Sequence, residues 1–228
     1  SALVAIEPGT GQIKAMVSSS SYEQSQFNLA AQGHRQPGST FKTFVLATAV
    51  KQGIDPYATY YTSKPLNLDL PEWGHWEVAT ADEGYQGTIN LQQATVASDN
   101  TVFAQLDLDV GPENVAETAK SMGIETELDG IPAEGIGGLR IGVSPLELSN
   151  AYATLAAGGI RRNPIAIRRL KDKLGNRSNA SAEVEFDGTV GYRVGPAGRG
   201  VVTILRMVAM TRLDCVTGSA GLIRAATA

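Results

Sequence analysis

The amino-acid sequence predicts a mixed α/β (α+β) protein, with strands at its start and helices after them. Residues 3–7 and 12–17 are short, largely apolar runs on either side of the turn residues 8–11, which is typical of a β-hairpin. Several later segments carry apolar side chains at helical spacing. With 228 residues, 43% of them hydrophobic and 18% charged, the chain is long enough for one large or two small domains with a buried core.

Composition excludes several classes of function. A net charge of −4 without a basic stripe argues against a nucleic-acid partner. A single cysteine, Cys215, rules out an internal disulfide and a cysteine metal cluster, and His34 and His75 are too few for a histidine-built metal site unless carboxylates contribute. We expect no cofactor. No run of 18 apolar residues offers a membrane span. Because residues 1–6 lead directly into a strand pattern, we expect any export signal or anchor to have been removed or to lie on another part of the protein.

The first helix is predicted to begin near Ser39. Pro37 and Gly38 form a turn signal, and the next dozen residues contain neither Pro nor Gly until residues 53–56 end the helix. Lys42 then lies one turn beyond Ser39 on the same face, with its ammonium within reach of the hydroxyl. The two residues are a candidate nucleophile and base.

The middle of the chain is predicted to contain one irregular segment and two helices. Residues 57–87 have weak periodicity, and we expect them to form a long insert against the site. A helix is predicted from residues 88–94 to Ser98, with Thr88 or Asn90 as its cap, and a further helix from Thr101 to Leu108.

Two further helices have clear end signals. Residues 111–114 open a helix that runs through Met122 and ends at Gly123. Ser144 and Glu147 have capping-box spacing and open a helix that continues to Gly158 and Gly159. The glycine-rich residues 130–142 between them are predicted to be a loop, and residues 160–174 a strand or hairpin arm.

The environment predicted for Ser39 suits nucleophilic catalysis. A serine hydroxyl needs a neighbouring base or a favourable field to react. The start of a helix supplies positive potential, and a lysine among apolar side chains loses solvation, which favours the neutral amine that can accept a proton. A Ser-x-x-Lys pattern is nevertheless expected about once by chance in a chain of this length and composition.

A second motif, Ser98-Asp99-Asn100, follows Ser39 by 59 residues. Ser-x-x-Lys, Ser-Asp-Asn and Lys-Thr-Gly together form the active-site set of penicillin-binding proteins and class A β-lactamases, and the first two occur here in that order. In this scheme Ser98 relays protons between the lysine and the leaving group. The amide of Asn100 holds the lysine and the amide carbonyl of the substrate.

Several longer segments resemble the transpeptidase domain of class A (bifunctional) penicillin-binding proteins. They are residues 5–17, 35–42, 85–101, 141–147 and 151–160, and the similarity extends from residue 2 to about residue 175. The resemblance implies an antiparallel sheet flanked by helices with a helical subdomain, as in penicillin-binding proteins and serine β-lactamases. It also implies one transpeptidase domain over residues 1–228.

The resemblance further implies a function in peptidoglycan synthesis. Ser39 would be acylated by the D-Ala-D-Ala end of a stem peptide, release D-Ala and pass the acyl group to an amine of a neighbouring strand. Penicillins and other β-lactams would acylate the same serine. The domain would work outside the cytoplasmic membrane, held to it only by a segment that is not in this chain.

The third motif of the family is altered. No Lys-Thr-Gly occurs, and the nearest string is Val216-Thr217-Gly218, in which valine occupies the lysine position. Thr217 and Gly218 are the predicted substrate-binding residues, on a strand that in the family binds the substrate carboxylate and completes the oxyanion hole. Residues 193–228 contain five Arg and one Asp, whereas the rest of the chain has 14 basic and 22 acidic residues. We therefore expect an atypical or incomplete C-terminal part.

Two alternatives remain open from the sequence. Residues 125–129 resemble the Glu-x-x-Leu-Asn string of class A β-lactamases, in which a carboxylate activates water for deacylation. The missing lysine of the third motif also fits a non-catalytic domain that only senses β-lactams or muropeptides. Outside the motifs, His34 is expected to pack at the rim of the cleft, and Trp73 and Trp76 to pack within the long insert or line a groove.

Overall fold

A computed structural model describes residues 1–18, 23–81 and 84–167. All of these except residues 23–26 belong to one compact unit, to which the following description applies. Along the chain its elements are β1 (Ala2–Ile6), β2 (Ile13–Ser18), α1 (Leu29–Gln32), a 3₁₀ turn (Gly38–Phe41), α2 (Lys42–Lys51), β3 (Tyr60–Ser63), β4 (Leu66–Leu70), β5 (Gly74–Val78), β6 (Gly87–Asn90), α3 (Leu91–Ala97), α4 (Asn100–Val110), α5 (Pro112–Met122), α6 (Pro132–Gly135) and α7 (Pro145–Ala156).

The predicted N-terminal hairpin is confirmed. β1 and β2 pair antiparallel from Ala2 opposite Ser18 to Ile6 opposite Ile13, with an irregularity at Ala5 and Ile6. α1 and α7 both pack against β1. The arrangement is the predicted antiparallel sheet flanked by helices.

The main core lies among α2, α4 and α5. Its largest completely buried side chains are Phe41, Phe44, Phe103, Leu91, Leu106 and Ile124. Burial of these apolar side chains drives the helices together, because the transfer of each one out of water stabilises the fold by roughly 1.5–3 kcal/mol. The catalytic candidates Lys42 and Asn100 begin two of these helices, α2 and α4.

The helix ends follow the predicted capping signals. Ser144 and Glu147 form a reciprocal capping box at the start of α7. Gly111 and Gly123, both at positive φ, bound α5. At the start of α3, the cap is Asn90 rather than Thr88, and Gln93 completes its capping box.

Residues 57–87 contact the site as predicted, but the prediction that they are irregular was wrong. β4 and β5 form an antiparallel hairpin, and β3 pairs antiparallel with β6. The strand β6 also contains Thr88 and Ile89, which the sequence placed in a helix. These strands are only four or five residues long, and tertiary pairing decides their conformation.

The predicted strand or hairpin arm at residues 160–174 lies only partly within the described chain. In its described part, residues 160–167, the pairing is a single parallel bridge between Ile165 and Gln12. Residues 168–174 lie outside the described part. Of the helices that the structure describes, none is long and apolar enough to cross a membrane.

Candidate active site

Ser39 lies in the 3₁₀ turn that leads into α2, and its side chain is exposed. Gly38 begins the turn at φ +55°, a left-handed conformation that glycine adopts without strain. Phe41 ends the turn, and its completely buried ring meets that of Phe44 edge to face, with the ring centroids 4.7 Å apart. The turn is thus anchored in the core while Ser39 remains accessible. A helix start near Ser39 is confirmed, with a 3₁₀ first turn.

Lys42 points its buried amine at the second motif. The side chain is only 4% exposed. Its Nζ donates hydrogen bonds to the carbonyl oxygen of Ser98 (2.5 Å), to Oδ1 of Asn100 (2.7 Å) and to Oγ of Ser98 (3.2 Å). The structure therefore brings Lys42 together with Ser98 and Asn100, which follow it by more than fifty positions in the sequence.

The predicted one-turn spacing of Ser39 and Lys42 is present without a hydrogen bond between their side chains. Among the described residues, no hydrogen bond joins the Ser39 hydroxyl to Nζ of Lys42, although Lys42 does follow Ser39 by one turn as predicted. An ammonium has three donors, and Ser98 and Asn100 accept all three. The amine is thus oriented by the second motif.

The burial of Lys42 changes its proton affinity. Desolvation lowers the pKa of Lys42 from its ordinary value of 10.5 to about 8, while the negative charge of Asp99 opposes the shift. The ring of Phe103, whose centroid lies 5.6 Å from Nζ, is part of the apolar surroundings. A lysine with this pKa is a competent proton acceptor near neutral pH.

Ser98 and Asn100 occupy the junction between α3 and α4. Ser98 has φ 52° and ψ 42°, and it is the one non-glycine residue with positive φ in the part of the chain that the structure describes. Such conformations are strained and are concentrated at functional sites. Asn100 uses both ends of its amide, since Oδ1 accepts from Lys42 and Nδ2 donates to the carbonyl of Ala79 at 3.0 Å. These two contacts fix the orientation of the amide.

Asp99, the middle residue of the motif, has a structural role that the sequence analysis missed. It is 3% exposed and caps α4, because Oδ1 accepts the N–H groups of Thr101 and Val102, while Oδ2 accepts the hydroxyl of Ser63. Burial alone would raise the pKa of Asp99, but these hydrogen bonds hold it below its usual value. An aspartate directly before a helical pattern is a capping signal that could have revealed this role.

The glycine-rich residues 130–142 pack against the turn that carries Ser39. The side-chain amide of Gln36 donates to the carbonyl of Leu139 (2.6 Å) and accepts from its N–H (3.0 Å). Gly137 lies so close to Gly38 that an added Cβ would be 2.0 Å from the Gly38 carbonyl oxygen. The sequence predicted a loop over residues 130–142 but gave no indication that it packs on the nucleophile turn.

The other predicted site residues lie apart from this cluster. Thr217 and Gly218 are outside the described residues, so their assignment stays a prediction. His34 is exposed, and its Nδ1 donates to the carbonyl of Gly142 at 2.8 Å. Trp73 and Trp76 line a small cavity of about 180 Å³ between the β4–β5 hairpin and residues 131–133.

The β-lactamase-like string does not bring a carboxylate to Lys42. Glu125 is 75% exposed on its side chain and forms an ion pair with Arg161 at 3.4 Å. Its backbone N–H, like that of Thr126, donates to Glu147 of α7. Glu125 therefore lies in a surface ion pair, and the described residues offer no contact from it to Ser98, Asn100 or Lys42.

Comparison with known proteins identifies the family. The penicillin binding protein transpeptidase domain matches residues 1–188 of this chain. The chain is 33% identical to penicillin-binding protein 2D of Bacillus subtilis over 174 residues, which is 75% of this chain and 25% of that protein. It is also 32% identical to penicillin-binding protein 1A of Neisseria meningitidis over 177 residues, 76% of this chain and 22% of the relative.

A solved structure supports the same assignment. PonA1 of Mycobacterium tuberculosis, determined in complex with penicillin V, superimposes with a TM-score of 0.62 at 29% identity, covering 72% of this chain and 45% of the other. The chain belongs to the penicillin-binding protein transpeptidase domain family, and its fold is that of this family. It spans about a quarter of the length of the curated relatives named above.

Proposed function

We propose that this chain is a serine D,D-transpeptidase domain that cross-links peptidoglycan stem peptides through an acyl-enzyme on Ser39 and is acylated by β-lactams. The observation that carries the proposal is the buried amine of Lys42, held by Ser98 and Asn100 beside the exposed Ser39 turn. No cofactor enters the reaction. The family membership of residues 1–188 supports the same chemistry.

In the acylation step, the Ser39 oxygen attacks the carbonyl carbon of the penultimate D-Ala. The new C–O bond forms as the hydroxyl proton passes to the neutral amine of Lys42. The resulting tetrahedral intermediate collapses when the C–N bond to the terminal D-Ala breaks. The Ser98 hydroxyl, 3.2 Å from Nζ of Lys42, relays the proton to the leaving amine, so that D-Ala departs as a neutral amine.

In the second step, the amine of a neighbouring stem peptide attacks the ester carbonyl. It loses a proton to the Lys42 and Ser98 pair, and Ser39 recovers its proton as the C–O bond breaks. A β-lactam follows only the first step, because its leaving nitrogen stays attached to the acyl group through the opened ring. The acyl-enzyme therefore persists.

Substrate binding is assigned to Asn100, Thr217 and Gly218. The Asn100 amide holds the amide carbonyl of the substrate, while Thr217 and Gly218 line the cleft at its carboxylate end. The backbone N–H of Ser39 and one just beyond Gly218 stabilise the oxyanion. With Val216 in the lysine position, the substrate carboxylate lacks one cation, which predicts weak binding of stem peptides.

The proposed place of action is outside the cytoplasmic membrane, where the peptidoglycan lies. A segment that is not in this chain would hold the domain to the membrane. The proposed extent of the domain is residues 1–228, with an atypical part from residue 193.

The test is acylation by a fluorescent penicillin, comparing the wild type with Ser39→Ala. We expect a labelled band and an intact-mass increase of one penicillin in the wild type only, stable for hours. A wild type that is not labelled would contradict the proposal, and an adduct that clears within seconds would indicate a β-lactamase. A stable adduct without transfer to a D-amino-acid acceptor would indicate the sensor alternative.

A further inference from the structure

The turn that carries Ser39 is held by side chains that belong to neither catalytic motif. A 3₁₀ turn has poorer hydrogen-bond geometry than an α-helix and is held in place weakly by its own backbone. Two contacts from other parts of the chain supplement it here. One comes from Tyr152 on α7, and the other joins Gln36 to residue 139.

Tyr152 bonds to the residues that directly follow both proposed catalytic residues. Its hydroxyl donates to the carbonyl oxygen of Thr40 at 2.8 Å. The phenol oxygen of Tyr152 also lies 2.8 Å from the hydroxyl oxygen of Thr43. Because the single phenol proton is already donated to Thr40, Thr43 is the donor in that pair. Thr40 follows Ser39, and Thr43 follows Lys42. One phenol oxygen therefore joins the nucleophile turn to the start of α2.

Gln36 fixes the chain on the other side of the turn. Both ends of its amide bond to the backbone of Leu139, as a neighbouring strand would. The preceding residue extends this pairing, because Arg35 and Val143 exchange two backbone hydrogen bonds of 3.0 and 2.9 Å. Residues 35–36 are thereby joined to the segment that leads into α7.

We propose that Gln36 and Tyr152 are positioning residues, which hold the backbone of the Ser39 turn in the geometry that acylation requires. This inference rests on the proposed function of Ser39. Neither side chain touches the reacting atoms in this scheme. Their effect is on placement, and a displacement of about 1 Å in a reacting group can slow the chemical step by roughly 100-fold.

The first test is Tyr152→Phe, which removes one oxygen and keeps the ring. We expect the rate constant of acylation by a penicillin to fall about tenfold or more, with the non-covalent Kd unchanged, when stopped-flow kinetics separate the two. Thr43→Val should lower the same rate constant, whereas Thr43→Ser, which keeps the hydroxyl, should restore it. Tyr57→Phe is the matched control, because Tyr57 is 69% exposed and its hydroxyl bonds to no described residue.

The second test is Gln36→Glu, which replaces the donor to the Leu139 carbonyl with an acceptor. We expect the acylation rate constant to fall, again without a matching change in Kd. Hydrogen exchange supplies a readout that does not depend on acylation. In both Tyr152→Phe and Gln36→Glu, amides in residues 38–42 should exchange faster, while those of α5 (Pro112–Met122) should not change.

Variants that acylate at the wild-type rate per folded molecule, with a loss of thermal stability alone, would overturn the positioning role. If the wild type itself is not acylated, the proposed function fails, but the exchange measurement still decides the positioning role. In that case, unchanged exchange at residues 38–42 would overturn it and local acceleration would support it.

Discussion

The charge on Lys42 determines when Ser39 can react. Acylation requires the neutral amine, so its rate follows the deprotonated fraction of Lys42 and increases with pH. Since burial lowers the pKa of Lys42 to about 8, its amine loses its proton at a pH about two units lower than the amine of an exposed lysine. The hydrogen bonds from Lys42 to Ser98 and Asn100 orient the ammonium form of this side chain.

We predict that the acylation rate constant of the wild type rises with pH, has its midpoint near pH 8 and levels off above about pH 9. Asp99→Asn removes the negative charge that opposes the effect of burial, so the pKa of Lys42 should fall further and the midpoint of the profile should move to lower pH. Stopped-flow acylation across pH 6–10 measures both profiles. A flat wild-type profile, or a shift to higher pH in the variant, would contradict the role of Lys42 as the base.

A substitution at Gly137 tests how closely the glycine-rich residues 130–142 pack on the Ser39 turn. It has φ +94°, and an added Cβ would be 2.0 Å from the carbonyl oxygen of Gly38, a backbone atom that cannot rotate away. Gly137→Ala should therefore destabilise the protein by more than the roughly 1–2 kcal/mol of left-handed strain, and it should lower acylation by displacing Gly38.

Gly159→Ala is the matched control for this substitution. Gly159 has a similar φ of +86°, but nothing lies within 4 Å of an added Cβ. Chemical denaturation and penicillin labelling of the two variants separate backbone strain from steric contact. Equal losses in both variants would show that the contact with Gly38 does not matter.

At the scale of secondary structure, sequence signals succeeded where a local cap or period decides the conformation. The capping box at Ser144, the glycines around α5 and the turn before α2 all act within a few residues. The β4–β5 hairpin was missed although residues 66–70 alternate apolar and polar side chains, a strand signal. Short strands of this kind depend on pairing partners and are easily overlooked.

The same distinction between local sequence signals and tertiary packing applies to the candidate site. Motif order on the chain predicted that Ser98 and Asn100 belong with Lys42, and the structure brings the three together. Its place before a helical pattern could have predicted that Asp99 is a cap. The burial of Asp99 and the left-handed conformation of Ser98 could not be predicted locally, because both depend on how α3 and α4 pack on α2. For the same reason, no local signal linked Tyr152 to the Ser39 turn across 113 positions of sequence.

At the scale of the whole molecule, one buried ionisable group links the stability of the core to pH. Asp107 of α4 is completely buried, and among the described residues neither of its carboxyl oxygens has a hydrogen-bond partner. It packs against Gly135 of α6, where an added Cβ would be 2.4 Å from its Cγ. Glu134 is also buried and accepts the N–H groups of Asp129 and Gly130. Burial and the nearby Glu134 raise the pKa of Asp107 from 3.8 to about 8.

This raised pKa predicts that the stability of the protein depends on pH. The folded protein binds a proton at Asp107 that the unfolded chain releases above its ordinary pKa, so the free energy of unfolding should decrease as pH rises from about 4 to 8, by on the order of 1 kcal/mol per pH unit from this group. Asp107→Asn removes the ionisation, so it should be more stable than the wild type, by a margin that grows from pH 5 to pH 8. Urea denaturation at pH 5, 6.5 and 8 measures the difference. Glu117→Gln, an exposed carboxylate on α5, is the control and should follow the wild type. If Asp107→Asn also follows the wild type at all three pH values, Asp107 is not the group that links folding to protonation.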